Sequence, residues 1–263
     1  MGKKQNGVML KKLKCDIHHI LFFSTFVESF KDSFKKYRGM DLCQSCVKKS
    51  LAADKLDSSD LIKLGSSCTE VDFLKGDIIF KQNALSSNVI YIREGLVKVH
   101  ITGPEKEQIL KVAKGPTYLG IPTTLGDKVN HYTATAITTT SVCFIDINVF
   151  KDLINQNGQF AYEIIVELCK NELQHFHNCV NKLQKQSPGR VAEALLFFAN
   201  EIFNSDKFTL PLTRNEFGDL TGNTRESISR IFAEFNRDEI IKINGKNIEI
   251  VNSELLKKIC FKG

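Results

Sequence analysis

The sequence has no apolar run of the roughly 18–20 residues that a membrane-crossing helix needs. Its best candidate, 17–30, is interrupted by His18, His19, Ser24, Thr25 and Glu28. No small-residue cleavage site follows a clean apolar core, so the stretch does not read as a secretory leader. A cytoplasmic protein with no membrane partner is expected. Self-similarity at a period of tens of residues is absent, which argues against solenoids and propellers. The six histidines lack a metal-ligand rhythm. His100 and His131 are far apart, and His175 and His177 cannot share a helix face, so solvated or half-buried histidines are expected. The strand-like segments supply Thr, Ile and Val rather than clustered His and carboxylates. That argues against an enzyme on a metal-binding barrel, and the chain reads as non-catalytic.

Acidic residues are scarce at the start. The first 50 of the 263 residues hold eleven Lys or Arg against four Asp or Glu, a net +7, whereas the whole chain carries +6. The remainder is about neutral, so net charge says little about nucleic acid and any such argument rests on patterning. Residues 1–41 read as a basic, loosely packed extension. Met40 directly precedes the first cysteine pair, which makes it an alternative start. The eight cysteines are not expected to form structural disulfides in a cytoplasmic chain. Cys169, Cys179 and Cys260 fall in helical patterns and are expected as small buried residues. Cys43 and Cys46 form the one C-x-x-C, compatible with a metal, a redox pair or neither.

Two periodicities follow. After a short helical pattern at 56–66, the segment 71–147 alternates β-branched and aromatic runs with Gly, Pro and Asn. Runs at 78–80, 89–92, 96–101, 108–112, 133–139 and 142–147 predict an all-β barrel or roll. The period then becomes helical. Tyr162, Val166, Cys169, Leu173, Phe176, Val180 and Leu183 are spaced 4, 3, 4, 3, 4, 3. This a/d seam predicts a parallel two-stranded coiled coil. Ser187-Pro188-Gly189 reads as its end and as a hinge.

The C-terminal part is the most specific. A helix is expected over 191–203 and a strand over 208–212. Thr213 and Glu216 fit a capping box, and Gly222 stops the short helix that the box opens. Asn223 or Thr224 caps a second helix running to about Asp238. Two helices around a tight Gly-containing turn make a helix-turn-helix. Asn244-Gly245 between apolar runs at 240–243 and 248–251 predicts a hairpin wing. On the second helix Ile228, Ile231, Phe232 and Phe235 form the buried face. Thr224, Arg225, Glu226, Ser229 and Arg230 lie at its exposed N-terminal end, where a recognition helix enters the major groove of double-stranded DNA. Arg matches the two guanine acceptors, and Glu accepts from the cytosine amino group. A dimeric scaffold that does not read DNA is the competing class.

On these residues the chain from about Leu42 onward resembles the Crp/Fnr family of bacterial transcription regulators. Arg225, Glu226 and Arg230 look like that family's base-reading set, and Ser229-Arg230 like the pair of the Fnr branch. Phe73-Leu74-Lys75-Gly76-Asp77 and Gly95-Leu96-Val97-Lys98-Val99 look like signature turns of its β-roll. The resemblance implies an α+β chain: a cupin-like β-roll (42–150), a long dimerisation helix (151–187) and a winged helix-turn-helix (188–263). It also implies a homodimer on a near-palindromic site, in contact with RNA polymerase.

Cyclic-nucleotide-binding members carry a Gly-Glu pair and, further on, an Arg before a small hydroxyl residue and Ala. Here those stretches read Gly120-Ile121 and Tyr132-Thr133-Ala134, so both charged residues are missing. That argues against cyclic AMP or cyclic GMP and leaves the effector unassigned. The oxygen-sensing Fnr branch holds an iron–sulfur cluster on a C-x-x-C, a third Cys six residues on, and a fourth in the roll. Cys43 and Cys46 match the pair, and Cys143 matches the roll position. The third position is Ala52, and no cysteine lies between Cys46 and Cys68. Asp54 is two residues late, and Cys15 is far upstream. Three readings stand: ordinary buried thiols, a cluster with an unusual fourth ligand, or a thiol–disulfide switch.

Overall fold

The computed structural model describes residues 43–263. The basic extension, Met40 and Cys15 lie outside the described residues. Two four-stranded antiparallel sheets form the roll. One is ordered β1-β8-β3-β6: Cys68–Phe73, Thr140–Asp146, Asn88–Glu94 and Thr117–Leu119. The other is ordered β2-β7-β4-β5: Ile78–Phe80, Thr133–Ala136, Leu96–Thr102 and Glu107–Lys114. Ile90, Ile92, Val97, Val99, Ala134 and Val142 fill the space between them. Strand β3 is buried at four consecutive positions, Val89–Ile92. Successive side chains point to opposite faces, so the sheet holding β3 is covered on both sides. Val89, Tyr91 and Ile145 join the outer layer, together with Phe150, Leu153, Phe160 and Ile164 of the following helices.

The run expected at 133–139 is two elements. β7 stops at Ala136, and the Thr138 hydroxyl accepts from the Leu96 amide at 2.9 Å to shape the turn into β8. The tight turn before β4 needs Gly95, at φ +103°: a Cβ there would lie 2.6 Å from the Thr139 carbonyl oxygen.

Helix α1 is Ser58–Ser66, and α2 is the short Ile121–Gly126. The stretch expected as one helix over 151–187 is broken. Helix α3 (Ile147–Gln156) starts within the range expected for the roll, because Asp146 caps it by accepting from the amides of Asn148 and Val149. Asn157 is extended and caps α4, Gly158–Gln184. Lys185 and Gln186 are extended, and Ser187-Pro188-Gly189 forms the first turn of α5 (Ser187–Phe197) rather than a hinge. Proline suits that position because its missing N–H is unneeded there. The helix expected at 191–203 widens in its last part: Phe198–Phe203 is a π-type turn.

Helices α6 (Arg214–Thr221), α7 (Arg225–Arg237) and α8 (Ser253–Lys262) complete the C-terminal part, with strands β9 (Lys207–Thr209), β10 (Ile241–Asn244) and β11 (Asn247–Ile250). Its core is aromatic and aliphatic, centred on Phe198, Phe217, Ile228, Ile231 and Phe232. Among the described residues no helix is long and apolar enough to cross a membrane.

Candidate DNA-binding surface and cysteine pocket

The capping box forms: the Thr213 hydroxyl accepts from the Glu216 amide at 3.2 Å, and the Glu216 carboxylate accepts from the Thr213 amide at 2.8 Å. Gly222 ends α6 in the left-handed region, and Thr224, not Asn223, caps α7 by accepting from the Ser227 amide. Asn223 is instead buried, its amide donating to the Thr221 carbonyl and hydroxyl. Ile228, Ile231, Phe232 and Phe235 of α7 are buried, whereas Thr224, Arg225, Glu226, Ser229 and Arg230 are all exposed. The base-reading candidates therefore share one free surface at the N-terminal end of α7. Ser229 is engaged locally, donating to the Arg225 carbonyl at 3.0 Å.

Two arginines with no place in the sequence motifs hold this unit together. Arg190 on α5 donates to the carbonyls of Lys185 (2.6 Å) and Thr221 (2.7 Å), and to Asn223 Oδ1 (3.2 Å). It pins the break before α5 to the turn between α6 and α7. Arg214 sits 4.2 Å over the Phe232 ring and donates to the Gly245 carbonyl, tying α6 to the wing. The wing turn differs from the expected one. Asn244 pairs with Asn247, and of the two loop residues between them only Gly245 has positive φ, so the loop is Gly245-Lys246 with the glycine-first pattern of a II′ turn.

The seam lies along α4. Tyr162, Cys169, Leu173, Phe176, Val180 and Leu183 are exposed, and Val166 is half-buried. Cys169 and Cys179 are thus exposed and Cys260 half-buried, unlike the buried residues expected. Phe160 and Ile164 anchor only the first turns of α4, and its later turns stand clear of the chain's own core.

The third constellation is in the outer layer of the roll. Cys143 on β8 pairs with Glu70 on β1 and with Tyr91 on β3. Cys68 lies two residues before Glu70, so it shares that face. The segment 43–53 lies across it. Tyr91 Oη donates to the Lys48 carbonyl at 2.7 Å, and Ser50 Oγ lies 2.8 Å from Tyr118 Oη. The result is a cavity of about 40 Å³ whose lining includes Cys43, Cys46, Cys68, Cys143, Lys49 and Arg93. Cys43, Cys46 and Cys143, distant in sequence, are brought together. Ala52 is buried in the adjoining core and Asp54 is exposed; neither lines the cavity.

Cys68 is the member of this group that spacing along the chain does not reveal. The neighbouring Cys68 thiol holds the Cys43 thiol below its ordinary value, and Cys43 together with burial raises Cys68. Burial pushes the Cys143 thiol up to about 12. Arg93 ion-pairs with Glu70, yet its Nε is buried without a hydrogen-bond partner. An all-sulfur donor set flanked by a cation with a spare N–H suits an anionic, thiolate-held group. Among the described residues, no three His, Cys, Asp or Glu converge to hold a single metal ion.

The two stretches compared with cyclic-nucleotide sites also meet. Tyr132 Oη accepts from the Gly120 amide at 3.0 Å, its ring packs 5.4 Å from Phe80, and Thr133 and Ala134 are buried. Of the histidines, His100 is buried rather than half-buried. It lies 2.8 Å from the Thr135 hydroxyl, and burial lowers its pKa. His131 is exposed beside Asp127 at 2.5 Å.

Comparison with known proteins decides the family. Residues 189–259 match the Crp-like helix-turn-helix domain, and residues 70–157 match the cyclic nucleotide-binding domain. The chain belongs to the Crp/Fnr family. This Crp/Fnr chain is 28% identical over 223 residues to the fumarate and nitrate reduction regulatory protein of Vibrio cholerae, covering 82% of this chain and 87% of that one. It is 27% identical over 219 residues to the transcriptional activator protein anr of Pseudomonas aeruginosa, covering 81% and 87%. A solved structure of a Crp/Fnr-family regulator from Eubacterium rectale superposes with a TM-score of 0.68 at 17% identity, over 81% of this chain and 98% of the other. The Crp/Fnr chain is thus a DNA-binding transcription regulator with a cyclic-nucleotide-binding-like roll.

Proposed function

We propose that this regulator works in the cytoplasm as a homodimer joined through α4, and reads a near-palindromic site with Arg225, Glu226, Ser229 and Arg230. Thr224 sets the start of the helix that carries them. The observation that carries this reading is the exposed polar end of α7, which no packing within the chain explains. A two-fold dimer places half-sites about 34 Å apart, one DNA turn. Contact with RNA polymerase follows by resemblance, and no catalytic step is assigned. Selection on random DNA should return a two-fold symmetric motif with guanines in each half. A motif without symmetry would sink the dimeric reading.

Arg225→Ala should weaken binding to the selected site by about 1–3 kcal/mol, roughly five-fold to 150-fold. Affinity for scrambled DNA and the salt slope should stay nearly the same. Equal losses on both DNAs would make Arg225 a phosphate contact, and no loss would favour the scaffold reading.

The signal enters through the cysteine cavity and is not a cyclic nucleotide. An iron–sulfur cluster there, with Cys43, Cys46 and Cys143 among its ligands, would supply oxygen- and redox-sensitive chemistry when bound. Tyr118 links the cavity to the dimer helix. It lines the cavity, and its amide donates to Glu167 of α4 at 3.1 Å. Lys49 and Arg93 offset negative charge at the cavity, and Tyr91 holds the 43–53 segment over it.

Cyclic AMP or cyclic GMP at millimolar concentration should leave the melting temperature unchanged. A ligand at 100 times its Kd would add about 2.7 kcal/mol, several degrees for a domain of this size. A saturable rise of that order in calorimetry would restore the nucleotide reading.

A further inference from the structure

We infer that Cys68 supplies the fourth thiolate of an iron–sulfur cluster in the outer-layer cavity, taking the place of the cysteine absent at Ala52. This rests on the cluster reading proposed above and adds a ligand to it.

The spacing along the sequence points elsewhere, because Ala52 occupies the expected position. Ala52 is 2% exposed and packs into the core beside the 3₁₀ turn Ala53–Lys55. Its Cβ is committed to that core, so the 43–53 segment has two sulfur donors to offer, Cys43 and Cys46. The sheet provides the other two. In the β1–β8 ladder Cys68 faces Ile145, and Glu70 faces Cys143. Cys68 and Cys143 are therefore diagonal neighbours on one face, about 7–8 Å apart by backbone. Diagonal strand neighbours on one face can direct two thiolates to one polynuclear group lying between them. The donor set is complete: two thiols from the overlying segment and two from adjacent strands, all lining one cavity. Four cysteine thiolates are what a cubane cluster requires.

The charged lining, Lys49 and Arg93 against Glu70, is net positive. Each thiol releases its proton to solvent as its sulfur bonds iron, so the assembled group is anionic. Arg93 and Lys49 stand beside the thiols, and the buried Arg93 Nε has a proton with no acceptor in the protein. A buried anion needs such partners. Glu70 orients Arg93 through their ion pair from the same strand as Cys68.

The test uses the full chain, purified without oxygen and reconstituted with ferric iron, sulfide and an excess of a thiol reductant, which supplies the electrons for the mixed-valence cluster. Visible absorption, and iron and sulfide per chain, are read for wild type, Cys43→Ala, Cys68→Ala, Cys68→Ser and, as a control on exposed α4, Cys179→Ser. Wild type and Cys179→Ser should hold about four irons per chain and an oxygen-labile band. Cys68→Ala should lose at least nine-tenths of both, as Cys43→Ala does, and Cys68→Ser should retain a shifted band through an oxygen ligand or lose it likewise. Circular dichroism melts show whether each variant is folded. Should Cys68→Ala fail to fold, Cys68→Ser carries the decision. A full, unshifted band in a folded Cys68 variant, with Cys43→Ala colourless, would remove Cys68 from the ligand set while leaving the cluster in place. A colourless wild type would overturn the cluster itself, and a Cys43–Cys68 disulfide on oxidation would put a thiol switch in its stead.

Discussion

Leu173→Asp should turn the regulator into a monomer of 29.7 kDa without unfolding it. Leu173 is 58% exposed in the single chain, and surface substitutions usually change stability by no more than about 0.5 kcal/mol. In the coiled coil proposed for α4 the same side chain is a core knob from each of two chains. Truncating a buried leucine costs roughly 2–5 kcal/mol, and two facing carboxylates add desolvation and repulsion. A loss of about 4 kcal/mol or more raises the dimer Kd by about three orders of magnitude. Binding to a palindrome should then weaken by about 10²–10⁴-fold, because the second half-site contact is no longer intramolecular. Sedimentation velocity across a concentration series reads the first effect, and titration of the full site against a half-site reads the second. A Leu173→Asp protein that still sediments as a dimer with unchanged affinity would show that the seam is not the interface.

The second large effect belongs to the core. Phe198→Ala should destabilise the C-terminal domain by about 3–5 kcal/mol. Phe198 is fully buried and at the centre of a ring cluster, with centroids 5.6 Å from Phe197, 6.3 Å from Phe208, 6.2 Å from Phe217 and 6.5 Å from Phe203. It sits at the start of the π-type turn. Calorimetry should show the transition that includes this cluster, which Leu96, Val112 and Ile137 of the roll share, falling by about ten degrees. Amide exchange in α7 should accelerate with it, and DNA binding should fail at lower temperature. Phe198→Leu should recover part of the loss. A melt within a degree or two of wild type would show that the cluster tolerates the void, contrary to the packing described.

Short-range patterns are legible in the amino-acid order. The Thr213–Glu216 box, the Thr224 cap, the buried stripe of α7 and the a/d seam are set by residues within one or two helical turns of each other. Such patterns survive because the helical period is the same everywhere. The hairpin is legible in kind but not in register: a turn of Gly245-Lys246 rather than Asn244-Gly245 moves every cross-strand partner by two residues, so that Ile243 faces Ile248 and not Lys246. The departures follow the same logic. The break at Asn157 is a side-chain cap, and the burial expected of Cys169 and Cys179 overlooks that α4 leaves the core after its first turns.

By itself, then, the sequence determined the local elements, their order and the exposed Arg225–Arg230 surface, because each depends on neighbours along the chain. Only the tertiary structure decided which cysteines meet. Cys68 joins Cys143 through the pairing of β1 with β8, and a slip of one residue in that ladder would turn Cys68 to the opposite face. Cys43 and Cys46 reach both because Tyr91 and Tyr118 hydrogen-bond the segment that carries them. Those are long-range contacts, and no spacing along the chain encodes them.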